Sequence, residues 1–127
     1  MTDLRYLLDA NICIYILADL TSPSAQRLAL QDVGTVGISA IVFAELERGL
    51  VGANSAARAA ADALYEAAPL LEFDRDAART YAQIPFKRGS FDRLIAAHAL
   101  SLNLILVTNN EADFADIPGL RCENWTR

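Results

Sequence analysis

The sequence predicts an α/β fold, namely a three-layer α/β/α domain around a central, mostly parallel sheet of about five strands. Short apolar runs alternate along the chain with segments whose apolar residues recur at helical spacing. The short runs are apolar at nearly every position, which is typical of parallel strands buried on both faces. A chain of 127 residues suits one domain, and we expect that domain to span residues 1–127.

Five segments are predicted as strands because each is a short apolar run bounded by turn residues or acids. They cover residues 5–8, 35–39, 70–73, 103 or 104 to 108, and 120–125. Asp9 ends the first strand, whereas Gly34 and Pro69 precede the second and third. Helical segments lie between the strands, so the chain supplies the crossovers that parallel strands require.

The predicted helices begin at residues that commonly cap helices. Ser22 precedes Pro23, which suits the first position of a helix, and Ser39 and Asp74 precede two further segments of helical spacing. Ser90 is the predicted start of the last long helix. The helices are predicted over residues 12–20, from 23 to before 34, from the Ser39 cap through Leu50 to the region of Gly49 and Gly52, over 55–68 and 75–84, and from 90 to 102, with a short helical turn over 111–115.

Composition excludes several functional classes. The net charge of −5 argues against non-specific nucleic-acid binding, although Lys87, Arg88 and Arg93 form a local basic cluster. No glycine-rich phosphate loop is present, so nucleoside triphosphate hydrolysis has no support. The chain starts without a basic segment followed by a long apolar stretch, and we therefore expect a cytoplasmic protein with no membrane contact.

Acidic residues at the ends of apolar segments are the main functional signal. Asp9 follows the first strand, Glu45 and Asp92 lie early in predicted helices, and Asp113 follows the fourth strand. The carboxyl ends of parallel strands meet at one edge of the sheet, where ligands bind, so we expect these acids to converge there. Carboxylates that share a half-buried place repel one another, and a divalent cation is the usual counter-charge.

Each acid also has an ordinary explanation. Asp9 could cap the next helix, Asp92 could interact with a helix dipole, and Asp113 could be a local cap or a surface acid. Glu45 lies well inside its helix, between Ile41 and Val42 on the helical wheel, so we expect it to be half-buried. Asp92 falls between small residues of its helix and is likewise expected away from solvent. The four acids together favour a site.

The motifs that contain these acids resemble those of VapC toxins, which are PIN-domain ribonucleases. The segments that carry the resemblance are 6–12 (YLLDANI), 39–49 (SAIVFAELERG), 91–100 (FDRLIAAHAL), 107–110 (VTNN) with Asp113-Phe114, and 117–125 (IPGLRCENW). They cover nearly the whole chain in the family's order. The fold that the resemblance implies is a PIN-like domain.

The resemblance implies a Mg²⁺-dependent endoribonuclease, with Mn²⁺ as an alternative ion, that is the toxin of a type II toxin-antitoxin pair. It further implies a structured RNA substrate, with transfer RNA as the leading class, a VapB-type antitoxin and a homodimer. Asp9, Glu45 and Asp92 match the three central acidic positions, and we expect Asp9 and Asp92 to bind the metal directly. Either Asn110 or Asp113 fills the fourth position.

Further residues are assigned to the surroundings of the acids. Asn11, Ser39 and Asn110 are expected to support the carboxylates by hydrogen bonding. The connection over residues 85–90 is shorter than in relatives. Its Lys87 and Arg88, together with Arg93, are interpreted as phosphate contacts of the RNA, and a solvated charge cluster is the alternative.

Two rival functions remain open at this point. A catalytically silent PIN-like scaffold that binds RNA or protein would keep the fold without needing a metal. A phosphoacceptor signalling domain would share the sheet and an acidic pocket, but it would require paired acids after the first strand and a lysine near the last. Asn11 stands in place of one acid, and Lys87 is the only lysine.

Overall fold

The structure is a computed structural model that describes residues 3–127. Within that range the chain forms five strands, six helices and one 3-10 turn. The strands are β1 (Tyr6–Leu8), β2 (Val36–Ser39), β3 (Leu70–Leu71), β4 (Ile105–Val107) and β5 (Arg121–Glu123). The helices are α1 (Ala10–Ala18), α2 (Pro23–Ala29), α3 (Ala40–Gly49), α4 (Ser55–Ala67), α5 (Arg75–Tyr81) and α6 (Asp92–Ser101), and the 3-10 turn is Glu111–Phe114.

The five strands form one sheet in the order β3-β2-β1-β4-β5, and every pairing is parallel. The chain moves outward from β1 through β2 to β3 and then returns to place β4 on the other side of β1. This reversal makes the boundary between β1 and β4 the topological switch point, outside which ligands bind in such sheets. The predicted α/β class with about five mostly parallel strands is confirmed.

Burial of the central strands explains the three layers. Tyr6, Leu7 and Leu8 are all buried, although successive strand residues point to opposite faces of the sheet. Both faces are therefore covered by other elements, as the continuous apolar runs predicted. Fully burying one leucine contributes about 2 kcal/mol, so these strands form the centre of the core.

Helix caps fix where several elements begin. Ser22 accepts a hydrogen bond from the Ala25 N–H, and Pro23 occupies the first helical position. Ser39 caps α3 and Asp74 caps α5 in the same way, so these predicted starts are confirmed. The start predicted at Ser90 is two residues early: the Ser90 hydroxyl accepts from the Asp92 N–H as a turn residue outside α6.

The outer strands are shorter than predicted. The third strand ends at Leu71 rather than at residue 73, and the fifth covers three residues instead of six. Both lie at the edges of the sheet, where only one neighbour is available for pairing.

None of the helices within residues 3–127 has the length and apolarity to cross a bilayer. The cytoplasmic location stays a prediction.

Candidate active site

The switch point between β1 and β4 brings two polar residues side by side. Asp9 directly follows β1, and Thr108 directly follows β4. Leu8 is paired with Val107 in the parallel register, and the Asp9 N–H donates to the Val107 carbonyl at 3.0 Å. The backbone hydrogen bonds between β1 and β4 therefore fix the position of the Asp9 backbone, from which its side chain projects.

Asp9 is buried and held by local hydrogen bonds. Its side chain is 5% exposed, and its Oδ1 accepts from the Ile12 N–H at 2.9 Å, which also caps α1. Burial raises the pKa of Asp9, hydrogen bonds from Thr108 and Ile12 lower it in part, and the nearby charge of Asp92 raises it again. A carboxylate in this position is costly to ionise unless a cation approaches it.

Glu45 lies on α3 and is half-buried, as its helical phase predicted. Its Oε1 is buried and has no hydrogen-bond partner among the described residues. Burial raises the pKa of Glu45, and the charges of Asp92 and Asp9 raise it further. An unpaired buried carboxylate oxygen requires an explanation, and a cation or an ordered water would provide one.

Asp92 is the first residue of α6 and is exposed, so the expectation that it lies away from solvent is wrong. The expectation came from the small residues that flank Asp92 on the helical wheel, all of which lie later in α6. Because Asp92 begins the helix, no preceding helical turn covers it. The helix N-terminus favours its negative charge. Its charge raises the pKa of both Asp9 and Glu45, so the structure brings these three carboxylates together. We call Asp9, Glu45 and Asp92 the acidic cluster.

The acidic cluster fits a divalent cation. No lysine or arginine of residues 3–127 forms an ion pair with any of its three carboxylates. Within the same residues, no three Asp, Glu, His or Cys side chains stand close enough to bind one ion together. Mg²⁺ keeps several waters and takes only one or two carboxylates, so two ligands from this cluster suffice. The orphaned Glu45 oxygen and the unrelieved repulsion both match such an ion.

Asp113 lies on the 3-10 turn at the rim of the acidic cluster. Its carboxylate accepts a hydrogen bond from the Asn110 amide and lies 3.6 Å from the Lys87 ammonium. A small cavity of about 70 Å³ is lined by both Asp92 and Asp113. The charge of Asp113 is not among the causes that raise the pKa of Asp9 or Glu45. Asp113 is therefore hydrogen-bonded to Asn110 and shares a cavity with Asp92.

The structure corrects the roles predicted for Ser39 and Asn11. The Ser39 hydroxyl accepts from the Ile41 N–H and hydrogen-bonds to Nδ1 of His98 at 2.8 Å, so it is committed to α3 and α6 rather than to the acids. Asn11 is exposed, and its side chain forms no hydrogen bond within the described part of the chain. The expectation that these two side chains support the carboxylates is wrong.

The basic cluster divides into exposed and buried members. Lys87 and Arg88 are exposed on the connection between α5 and α6, and the Lys87 ammonium lies beside the Asp113 carboxylate. Arg93 is only 4% exposed, and its Nη1 lies 2.9 Å from Asp116. The interpretation of Arg93 as an RNA contact is wrong, because a tertiary ion pair holds its guanidinium inside the domain.

Thr108 is the site residue that sequence reasoning missed. It is completely buried, its Oγ1 accepts from the Asn110 N–H at 3.1 Å, and its side chain lowers the pKa of Asp9. The available signal was its position directly after an apolar strand, which matches the position of Asp9 after β1. Thr108 thus connects the two strand ends at the switch point.

Comparison with known proteins agrees with this geometry. The PIN domain family matches residues 6–120 of the chain. The tRNA(fMet)-specific endonuclease VapC of Shigella flexneri is 33% identical, over 97% of this chain and 99% of that protein. Ribonuclease VapC2 of Rickettsia felis is 31% identical, over 96% of this chain and 98% of that protein.

Solved structures give the same result. The crystal structure of VapBC2 from Rickettsia felis bound to a promoter DNA fragment contains a chain that matches with a TM-score of 0.83 and 29% identity, over 96% of this chain and 99% of that one. DNA-bound VapBC from Salmonella typhimurium matches with a TM-score of 0.82 and 31% identity, over 96% and 98%. The chain therefore belongs to the PIN domain family and, within it, to the VapC ribonucleases, the toxins of VapBC pairs.

Proposed function

We propose that this chain hydrolyses phosphodiester bonds of structured RNA with Mg²⁺ or Mn²⁺ held at the acidic cluster. The observation that carries the proposal is the position of three mutually repelling carboxylates at the switch point, one of them with an unpaired buried oxygen. The proposal takes residues 1–127 as a single PIN domain.

Asp9 and Asp92 are the proposed metal ligands. Asp9 is held in place by the Ile12 N–H and by Thr108, and Asp92 starts α6 with its side chain open to solvent. Glu45, whose buried Oε1 has no hydrogen-bond partner among the described residues, belongs to the same acidic cluster. A bound divalent cation would lower the pKa of water and offset negative charge on the phosphate that is cleaved.

The remaining polar residues would orient the substrate. Lys87 lines the cavity that Asp92 and Asp113 also line, and Arg88 is exposed on the same connection, so both are proposed to contact phosphates that flank the cleaved bond. Asp113 lies 3.6 Å from Lys87 and accepts a hydrogen bond from Asn110, and these two residues are proposed to orient solvent beside the acidic cluster. No protein nucleophile is needed for this reaction.

Transfer RNA is the proposed substrate class. The support is that a relative 33% identical over nearly the full chain is named as a tRNA(fMet)-specific endonuclease. A second relative, which is 31% identical, carries the same name. The net charge of −5 requires that binding depend on local positive groups and on bound metal rather than on the whole surface.

A VapB-type antitoxin is the proposed partner, and a homodimer is the proposed assembly. An apolar groove of about 360 Å³ runs between α1, α2 and α4, with Ile16, Leu17, Leu28 and Ala63 among its lining residues. Small side chains on α4 allow close approach of a partner helix, which is a common mode of recognition. The solved relatives are VapBC complexes, which supports an antitoxin as the occupant.

The test is cleavage of a transfer RNA pool by purified, antitoxin-free protein with Mg²⁺, Mn²⁺ or chelator. Asp92→Asn should lower the rate by about 100-fold or more, since even outer partners of metal ligands contribute about 10 to 100-fold. Asp76→Asn is the matched control, because Asp76 is an exposed acid in the first turn of α5. Cleavage that persists in chelator, or an Asp92→Asn variant as active as Asp76→Asn, would contradict the proposal.

A further inference from the structure

An exposed aromatic side chain lies directly beside the acidic cluster. Phe91 precedes Asp92 and occupies the N-cap of α6, where it forms no capping hydrogen bond. Its side chain is 58% exposed. Serine, threonine, aspartate and asparagine stabilise this position, and phenylalanine does not. Phe91 therefore does not cap α6, and more than half of its surface is open to solvent.

Phe91 forms one wall of a pocket against α3. The other lining residues are Ile41, Ala44, Glu45 and Arg48, and the pocket has a volume of about 490 Å³. This volume lies within the range of about 300 to 1,000 Å³ that is typical of small-molecule sites. Ile41, Ala44 and Phe91 supply apolar walls, while Glu45 of the acidic cluster and Arg48 supply one carboxylate and one guanidinium.

We propose that this pocket binds one unstacked nucleobase of the RNA, next to the phosphodiester that is cleaved. The base stacks on Phe91, with Ile41 and Ala44 beneath it, and Arg48 contacts the adjoining phosphate. The inference rests on the proposed ribonuclease function, which it deepens by assigning a subsite. Single-stranded RNA is generally recognised by stacking of splayed bases on aromatic side chains.

Charge favours RNA over a protein as the occupant. Arg48 forms no ion pair within residues 3–127, so its guanidinium is available to a phosphate. Glu45 belongs both to this pocket and to the acidic cluster, so a base in the pocket places its own phosphate near the proposed metal. A second copy of the chain covering Phe91 is the competing occupant and is an outcome of the test.

The experiment compares Phe91→Ala with the matched control Phe86→Ala in cleavage of an oligoribonucleotide that spans a mapped cleavage site. Phe86 is an exposed phenylalanine five residues earlier that does not line this pocket. Loss of one stacked base should raise KM by about 10-fold while kcat changes little. Phe91→Trp should restore KM, because tryptophan also stacks on a base.

Each outcome is decisive. Failure of the wild-type protein to cut RNA would remove the proposed function and this inference with it. A wild type that cuts, with Phe91→Ala and Phe86→Ala equal in KM, would overturn the inference alone. Sedimentation velocity of the same samples tests the competing occupant. A second copy fills the pocket if Phe91→Ala dissociates a dimer and if KM returns to the wild-type value at protein concentrations that restore the dimer.

Discussion

Arg93 Nη1 lies 2.9 Å from Asp116 Oδ1, and Arg93 Nη2 donates a hydrogen bond of 3.0 Å to the backbone carbonyl of Asp113. These contacts join the first turn of α6 to the 3-10 turn that follows β4. The ion pair lowers the pKa of Asp116. Arg93 follows Asp92 in sequence and lines the cavity that Asp92 and Asp113 also line, so its buried guanidinium connects the start of α6 to the turn that carries Asp113.

Replacing Arg93 by alanine should therefore lower the free energy of unfolding by about 2 to 3 kcal/mol, as for loss of a buried charged hydrogen bond. Urea unfolding at pH 7 measures this change. Arg88→Ala is the control, because Arg88 is exposed and surface substitutions usually stay within about 0.5 kcal/mol. Equal stabilities of the two variants would show that the Arg93 contacts contribute nothing to the fold.

Gly37 permits the close approach of β3 to β2. A Cβ atom at this position would lie 2.9 Å from Leu71 Cδ1 and 3.2 Å from the Pro69 carbonyl oxygen. Gly37→Ala should therefore destabilise the protein by about 1 to 3 kcal/mol through overpacking. Thermal or urea unfolding provides the measurement.

Gly49→Ala is the matched control for the Gly37 prediction. A Cβ at Gly49 meets no atom within 4 Å, and Gly49 is the last residue of α3. Alanine there should stabilise the protein by up to about 1 kcal/mol, because it reduces the freedom of the unfolded chain. The two substitutions should thus have opposite signs, and the same sign for both would refute the packing argument.

His98 gives the pH dependence of stability a defined sign. It is buried beside Ser39, and burial lowers its pKa below the usual 6.5, only partly offset by the charge of Asp74. Below about pH 6.5 the His98 side chain therefore binds a proton more readily in the unfolded chain than in the folded chain. The contribution of His98 to stability is complete above that pH and is lost as the pH falls toward the folded-state pKa.

The measurement for His98 is an NMR titration, which is unambiguous because the chain has one histidine. The midpoint should lie below 6.5. The pKa values of Asp9 and Glu45 are raised, so these two acids change stability with pH in the opposite direction. The free energy of unfolding of wild type minus that of His98→Gln cancels their effect and leaves the contribution of the histidine. This difference should shrink as the pH falls from about 7 to 5. A midpoint at or above 6.5 would contradict the prediction.

Local patterns in the sequence predicted most of the fold and three of the acids. Helix caps such as Ser22, Ser39 and Asp74 act on residues two or three positions away, so their effect is visible in a short window. Apolar runs placed Asp9 at a strand end, and helical phase placed Glu45 at a half-buried position. These inferences require only the period of each element and the edge rule for parallel sheets.

Long-range contacts account for what the sequence did not predict. Arg93 is buried because Asp116 meets it from a separate element, and a charged residue taken alone predicts exposure. Ser39 bonds to His98, which is 59 residues away. Thr108 acquires its role only because β4 pairs with β1, which places it beside Asp9. None of these partners can be identified from spacing along one chain.

The central claim is that the acidic cluster binds a divalent cation, and isothermal titration of MnCl₂ or MgCl₂ into antitoxin-free protein tests it directly. Wild type should take up the ion, whereas Asp92→Asn, which removes an exposed ligand from an otherwise intact fold, should lose most of the binding heat while Asp76→Asn keeps it. Absence of uptake by the wild-type protein, or unchanged uptake by Asp92→Asn, would contradict the assignment of this site.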